Sequence, residues 1–310
     1  MFIYLLNPHL KILDLHMNKF IGEKQMTIGR KILEILQDER PIRRLMAGFI
    51  GRSGLARLFR IRFQVQDYEI FFNPTGLSSL YWYKPTVGSK DYEFISSFLK
   101  EGDTYIDIGA NIGTTLIPAA KCIGKSGKAI AFEPHPKTYS YLRENVDLNK
   151  LGDVKINNCA VGNSDGYIYF TNKFTDEINQ VSSTSENSIK VPIVSLDNYL
   201  MEISNISLLK LDVEGYEKYV LEAAKETLEK VNCIYFEVCP ENYEGFGYQA
   251  SDVLTLLEKS GFILFKRNND AKELVPVSNQ YIPLCGLENL IGIKNREDFQ
   301  NRTQWKVKFE

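Results

Sequence analysis

From about Glu101 to Phe265 the chain alternates short apolar runs with longer segments whose apolar residues recur every three or four positions. The runs at 104–108, 128–133, 154–159, 207–212, 233–238 and 262–267 have the length and the β-branched and aromatic content of strands. Between them, 112–123, 136–149, 196–201, 215–225 and 250–259 carry a helical period. Alternation of this kind predicts an α/β fold: a doubly wound, mostly parallel sheet with helices on both faces. The rhythm breaks once. Between Gly166 and Val194, "GYIYF" and "IKVPIV" read as two further strands around the polar loop "SSTSENS", which predicts a β-hairpin inserted after the third strand.

Residues 1–62 have a different texture and read as a helical N-terminal extension, leaving 63–310 as the main domain. The stretch "GRKILEILQDERPIRRLMAGFIGRSGLARLFRIRF" has helical spacing, and from Arg43 to Arg62 it holds six arginines and no acid. A solvated helix face packed on the domain is the favoured reading of 43–62. Contact with a membrane surface is the alternative. After it, "QVQDYEIFFNP" reads as one strand ending at the Asn73-Pro74 turn. The opening "MFIYLLNPHLKILDL" is apolar, but it lacks a basic leader and is interrupted by Asn7, Pro8 and His9, so it fits a secretory signal poorly. No run has the length of a bilayer span. A cytoplasmic protein is expected.

Composition narrows the classes of function. A net charge of −2 over 310 residues gives no global field suited to nucleic acid. Five cysteines, at 122, 159, 233, 239 and 285, form no CxxC pair and no disulfide spacing, in keeping with a reducing compartment. With histidines only at 9, 16 and 135, no zinc cluster is legible.

Candidate chemistry begins at "YIDIGANIGTT". A strand, then Gly109 and Gly113, then a helix is the layout in which ligands lie beyond the carboxyl ends of the strands. A dinucleotide loop would read GxGxxG, whereas this one reads GxxxG. Asp107 at the strand end would meet a pyrophosphate at close range, which is unfavourable, but would attract an amino group and a sulfonium. S-adenosylmethionine carries both and has no phosphate. In the methyltransferase form of the loop, D-x-G-x-G-x-G, Asn111 takes the place of the second glycine, and asparagine tolerates positive φ. The next strand, "AIAFEPHP", ends in Glu133, twenty residues after Gly113. A carboxylate at that offset suits the two vicinal hydroxyls of a ribose. The third strand ends in "NNCAVG", whose small residues leave room for a flat base beside Ala160.

In this order, "YIDIGANIGTT", "AFEPHPKTYSYLRENVDLN", "NCAVGNSDG", "VSLDNYL" and "LLKLDVEGYEKYVLEAA" resemble the FkbM-type methyltransferases. The resemblance covers roughly Phe94 to Val238. It implies a class I methyltransferase fold (Rossmann-like), S-adenosylmethionine as cofactor, and O-methylation of a hydroxyl on a sugar, polyketide or similar metabolite. The residues matching the family's cofactor site are Asp107, Gly109, Asn111, Gly113 and Glu133.

Transfer to a hydroxyl needs alignment and a place for the proton. The candidate bases are carboxylates at the ends of the fourth and fifth strands: Asp212 and Glu214 in "LLKLDVEGYE", and Glu237 in "IYFEV". Asp212 as a helix cap and Glu237 as a structural partner are the competing readings. Three neighbouring acids also suit Mg²⁺, but the resemblance suggests no metal and none is assigned. The aromatic run at Tyr81, Trp82 and Tyr83 is either an acceptor wall or packing for the N-terminal segment. A nicotinamide dehydrogenase and a non-catalytic cofactor-binding scaffold are the rival functions. The first is disfavoured by Asp107 and the absent GxGxxG.

Overall fold

The computed structural model describes residues 34–53, 55–172, 179–182, 184–283 and 286–308. The first 33 residues of the expected extension lie outside that range. The described chain begins with α1 (Pro41–Ser53) and α2 (Leu55–Leu58), followed by β1 (Arg62–Val65) and β2 (Tyr68–Phe71). The stretch expected as one strand is therefore a hairpin. Gln66 takes φ of +48°, which turns the chain, and Val65 pairs with Tyr68 in antiparallel register. Next come α3 (Gly76–Tyr83) and α4 (Ser89–Phe98). The Thr75 hydroxyl caps α3 by accepting from the Ser78 amide at 3.1 Å.

The main sheet starts with β3 (Thr104–Ile108), α5 (Leu116–Ile123), β4 (Lys128–Phe132), α6 (Pro136–Leu148) and β5 (Val154–Asn157). A second, smaller sheet follows: β6 (Ala160–Val161), β7 (Gly166–Thr171), β8 (Val181–Ser182) and β9 (Ser188–Val194), in the order β6-β9-β7-β8. The expected hairpin is the antiparallel β7–β9 pair within it. The chain returns through α7 (Leu196–Tyr199), β10 (Ile206–Leu211), α8 (Glu217–Glu222), α9 (Lys225–Lys230), β11 (Val231–Val238), α10 (Pro240–Glu244) and α11 (Ala250–Lys259). It ends with β12 (Ile263–Asn268), β13 (Glu273–Pro276), β14 (Glu288–Ile293), α12 (Arg296–Thr303) and β15 (Lys306–Val307).

Among the described residues the large sheet runs β15-β13-β12-β14-β11-β10-β3-β4-β5, parallel from β11 through β5 and antiparallel where β14 meets β11 and β12. This is the expected doubly wound α/β architecture. The chain winds outward from β3 to β5, then crosses back to lay β10 against the other side of β3. Helices leave the two neighbours in opposite directions there, and a crevice opens at their carboxyl ends.

Alternation along the strands divides the core between the two faces. Ile106, Ile108, Leu209, Leu211, Ile234 and Phe236 face one apolar cluster, while Tyr105, Leu208, Cys233 and Tyr235 face the other. Each such side chain contributes roughly 1.5–3 kcal/mol by leaving water. Asp107 and Lys210 fall on the second face, paired directly in the β3–β10 register. A third cluster packs Ala47 and Ile50 of α1 with Phe63, Val65, Tyr68, Ile70 and Phe72, and reaches Ile112 beside the β3 loop. The β2 edge is not left open. Asn145 accepts from the Phe71 amide at 2.8 Å, and Asn149 takes both the amide and the carbonyl of Glu69 at 3.1 and 2.7 Å. Among the described residues no helix is long and apolar enough to cross a membrane.

Candidate active site

A cavity of about 600 Å³ opens beyond the carboxyl ends of β3, β4, β10 and β11. One end is formed by the loop after β3. Gly109 and Ala110 both donate to the Phe132 carbonyl at 3.0 Å, which folds the loop over the end of β4. A Cβ on Gly109 would lie 1.8 Å from the Asp212 carbonyl oxygen, and φ there is +81°. Only glycine lets β3 and β10 exit this close together. Asn111 has φ of +49°, the left-handed turn its side chain was expected to tolerate, and its amide donates to Glu133 Oε2 at 3.0 Å. Asn145 Nδ2 holds the Ile112 carbonyl at 2.9 Å. The helix expected from 112 begins only at Leu116, because this loop consumes the residues before it.

Gly109, Asn111, Glu133 and Ala160 all line the cavity. Ala160 does so from the small sheet rather than from the end of β5. Glu133 also has local work: its Oε1 accepts from the His135 amide at 2.9 Å, just ahead of α6. Two of the expected cofactor residues lie off this wall. Asp107 is fully buried and is not part of the cavity wall; Oδ2 accepts from the Thr115 hydroxyl at 2.8 Å, and Oδ1 lies 3.7 Å from Lys210 Nζ. Side chains alternate along β3, so Asp107 points into the sheet face while Ile108 and Gly109 reach the opening. Burial raises its carboxyl above the ordinary range. Gly113 is likewise off the wall; a Cβ there would lie 2.8 Å from Leu142, so this glycine serves the packing of the loop on α6.

The other end is acidic. Asp212, Glu214 and Glu237 line it, and one carboxylate oxygen from each lies within 4.8 Å of the others. Glu214 sits at φ +53°, a strained position for glutamate, and accepts from Asn242 Nδ2 at 3.0 Å. Burial, together with Asp212 and Glu217, pushes its carboxyl up to about 8. Glu237 is only 9% exposed, and burial and the neighbouring acids raise it well above the carboxylate range. No hydrogen bond to its carboxylate is found among the described residues. Glu217 lies beneath the turn, where Oε1 accepts from the Val213 amide at 3.0 Å.

Lys210 joins the two ends. Its ammonium lies 3.0 Å from Asp212 Oδ2, 3.3 Å from the Gly109 carbonyl and 3.7 Å from Asp107. Burial alone would lower its pKa, but the carboxylates of Asp212 and Asp107 outweigh that and raise it. Sequence reasoning passed over this residue, although the signal was there: a lone charge inside "ISLLKL", every residue of which is buried. His135 was also missed; it lines the cavity with Nε2 3.0 Å from Asn172 Oδ1 and with Nδ1 buried and unbonded. The aromatic run divides. Tyr81 is on the cavity wall, whereas Trp82 packs edge-on against Phe63 and Phe72, with ring centroids 5.3 Å apart in each case.

A glycine turn and an acidic pocket at the switch point of a doubly wound sheet define a class I methyltransferase architecture. Residues 107–264 match the model of the methyltransferase FkbM domain, and the chain belongs to that family. Among curated relatives, a methyltransferase 1 of Beauveria bassiana is 26% identical over 222 residues, covering 63% of this chain and 86% of the relative. A hexuronic acid methyltransferase of Haloferax volcanii is 26% identical over 217 residues, covering 67% and 89%. A 2-O-methyltransferase of Sinorhizobium fredii is 29% identical over 186 residues, covering 52% and 74%.

Proposed function

We propose that this cavity binds S-adenosylmethionine and directs its methyl group to a hydroxyl of a sugar, glycan or related metabolite. The observation that carries the reading is the single cavity joining a glycine turn with Glu133 to the carboxylates Asp212, Glu214 and Glu237. The name of the Haloferax relative, a hexuronic acid methyltransferase, supports a sugar-type acceptor, and that of the Sinorhizobium relative, a 2-O-methyltransferase, supports transfer to oxygen.

The residues present suit a nucleoside. Gly109 and Asn111 bring their backbone to the cavity wall, Ala160 leaves room for a base, and Glu133 offers a carboxylate to the ribose, each oxygen able to accept more than one hydrogen bond. When bound, the cofactor supplies the activated methyl carbon. Asp107 acts at one remove: it holds Lys210 from below, and Lys210 in turn holds the Gly109 carbonyl and Asp212. Asp212 takes the proton of the acceptor hydroxyl. Burial and the neighbouring acids raise the carboxyls of Glu214 and Glu237, which suits them to offer an O–H to oxygens of the methyl acceptor.

Calorimetric titration tests the cofactor: S-adenosylhomocysteine should bind and NAD should not. Turnover on a panel of sugar acceptors separates an enzyme from an idle scaffold. EDTA should leave turnover unchanged, because the Lys210 ammonium already neutralises Asp212. Loss of activity on chelation, restored by Mg²⁺, would replace the base at this cluster with a metal.

A further inference from the structure

Helix α1 has two apolar faces, and the domain uses one of them. Ala47 and Ile50 are buried against the hairpin. On the opposite side Ile42, Leu45, Met46 and Phe49 are 72, 63, 46 and 68% exposed. Their spacing of three and four residues makes one continuous stripe. Leu36, Leu58 and Phe59, on the segments flanking α1, are 65, 74 and 70% exposed. Of the thirteen large hydrophobic residues exposed among the described residues, these seven fall between positions 36 and 59. A bare patch this concentrated marks a docking surface rather than ordinary surface scatter.

Charge identifies what docks. From Arg40 to Arg62 the chain has seven arginines and no acid, within a protein of net charge −2. Arg60 and Arg62 are exposed, Arg62 lying 3.6 Å from Glu69; Arg43 lies over the Trp82 ring at 4.3 Å, and Arg44 pairs with Asp38 beside the Tyr83 ring, both arginines partly open to solvent. A second copy of this chain would set one arginine-rich face against another, and the like charges would repel. Nucleic acid would use the arginines but would leave the apolar stripe in water. An anionic lipid surface satisfies both features, since apolar side chains enter the headgroup region while guanidinium groups meet phosphate and carboxylate.

We propose that α1 docks the protein on an anionic membrane surface, with Ile42, Leu45, Met46 and Phe49 inserted among the headgroups. The docked helix packs on α3, which supplies Leu77, Leu80 and Tyr81 to the cavity wall, so the lipid-facing surface lies one helix from the site.

The test is co-sedimentation of the full chain with vesicles of phosphatidylcholine alone or mixed with phosphatidylserine. Binding is expected with the mixed vesicles only, and it should weaken as salt is raised. Leu45→Gln and Phe49→Gln should each reduce partitioning roughly tenfold, by removing inserted apolar area. Both positions are exposed, so thermal unfolding should not change. Absence of binding to the mixed vesicles overturns the proposal, as does undiminished binding of the double variant. A dimer in analytical ultracentrifugation that Leu45→Gln and Phe49→Gln dissolve would assign the stripe to a second copy. Retention of RNA with no retention of vesicles would assign the arginines to nucleic acid.

Discussion

At the β3 end of the cavity the chain presents mainly backbone: the turn at Gly109 and Asn111 and the amides bound by Phe132 and Glu133. At the β10 and β11 end it presents side chains, three carboxylates and one ammonium drawn from two strands and the turn between β10 and α8. The first end suits a ligand of fixed shape, because backbone geometry varies little with sequence. The second suits chemistry, because protonation there depends on burial and on neighbouring charges. Lys210 is bonded to both.

Removing Lys210 should therefore damage both ends at once. Lys210→Met leaves Asp107 and Asp212 facing each other without their cation, at a cost of about 3–5 kcal/mol in stability. Thermal unfolding together with S-adenosylhomocysteine titration should show both ends damaged. If binding and stability both persist, the two ends are independent.

Asp212→Asn should separate the ends cleanly. Turnover should fall on the order of 10²–10⁴-fold while S-adenosylhomocysteine affinity stays near that of the parent. Full turnover in this variant would place the base elsewhere. At the opposite end, Glu133→Gln should weaken S-adenosylhomocysteine by about 1.5–3 kcal/mol in calorimetry. Unaltered affinity would leave Glu133 only its hydrogen bonds to the amides of Asn111 and His135.

The smallest effect concerns pH. The Glu214 carboxyl is pushed from its ordinary 4.5 to about 8 in the folded protein. Between those values the folded state holds a proton that the unfolded chain has released, so this group makes stability fall as pH rises through that window. Glu214→Gln cannot ionise, and unfolding at pH 8 should show it gaining stability relative to the parent, with the gap closing toward pH 5. A gap that does not change with pH would mean that Glu214 is not held in its protonated form.

The β3 end was largely legible because its information is local. Gly109, Asn111 and Glu133 belong to short segments whose turn chemistry and spacing survive in one dimension. Asp107 and Gly113 belong to the same motif but lie off the cavity wall. Spacing records that they are near the loop, not which way they face. The acidic end was legible as a set of candidates and no further. Asp212 and Glu237 were recognisable as strand-end carboxylates, while Lys210 passed unnoticed because a lysine is ordinarily at the surface.

The order of apolar runs and helical segments, the turn residues and the arginine-rich segment are properties of the sequence itself, since each rests on contacts between near neighbours in the chain. Tertiary structure decided that β10 lies beside β3, in the register that sets Lys210 against Asp107. It also turned one apolar face of α1 inward and left the other bare. Both outcomes depend on which distant segments meet, and a burial pattern shared between two partners cannot be assigned from either one alone.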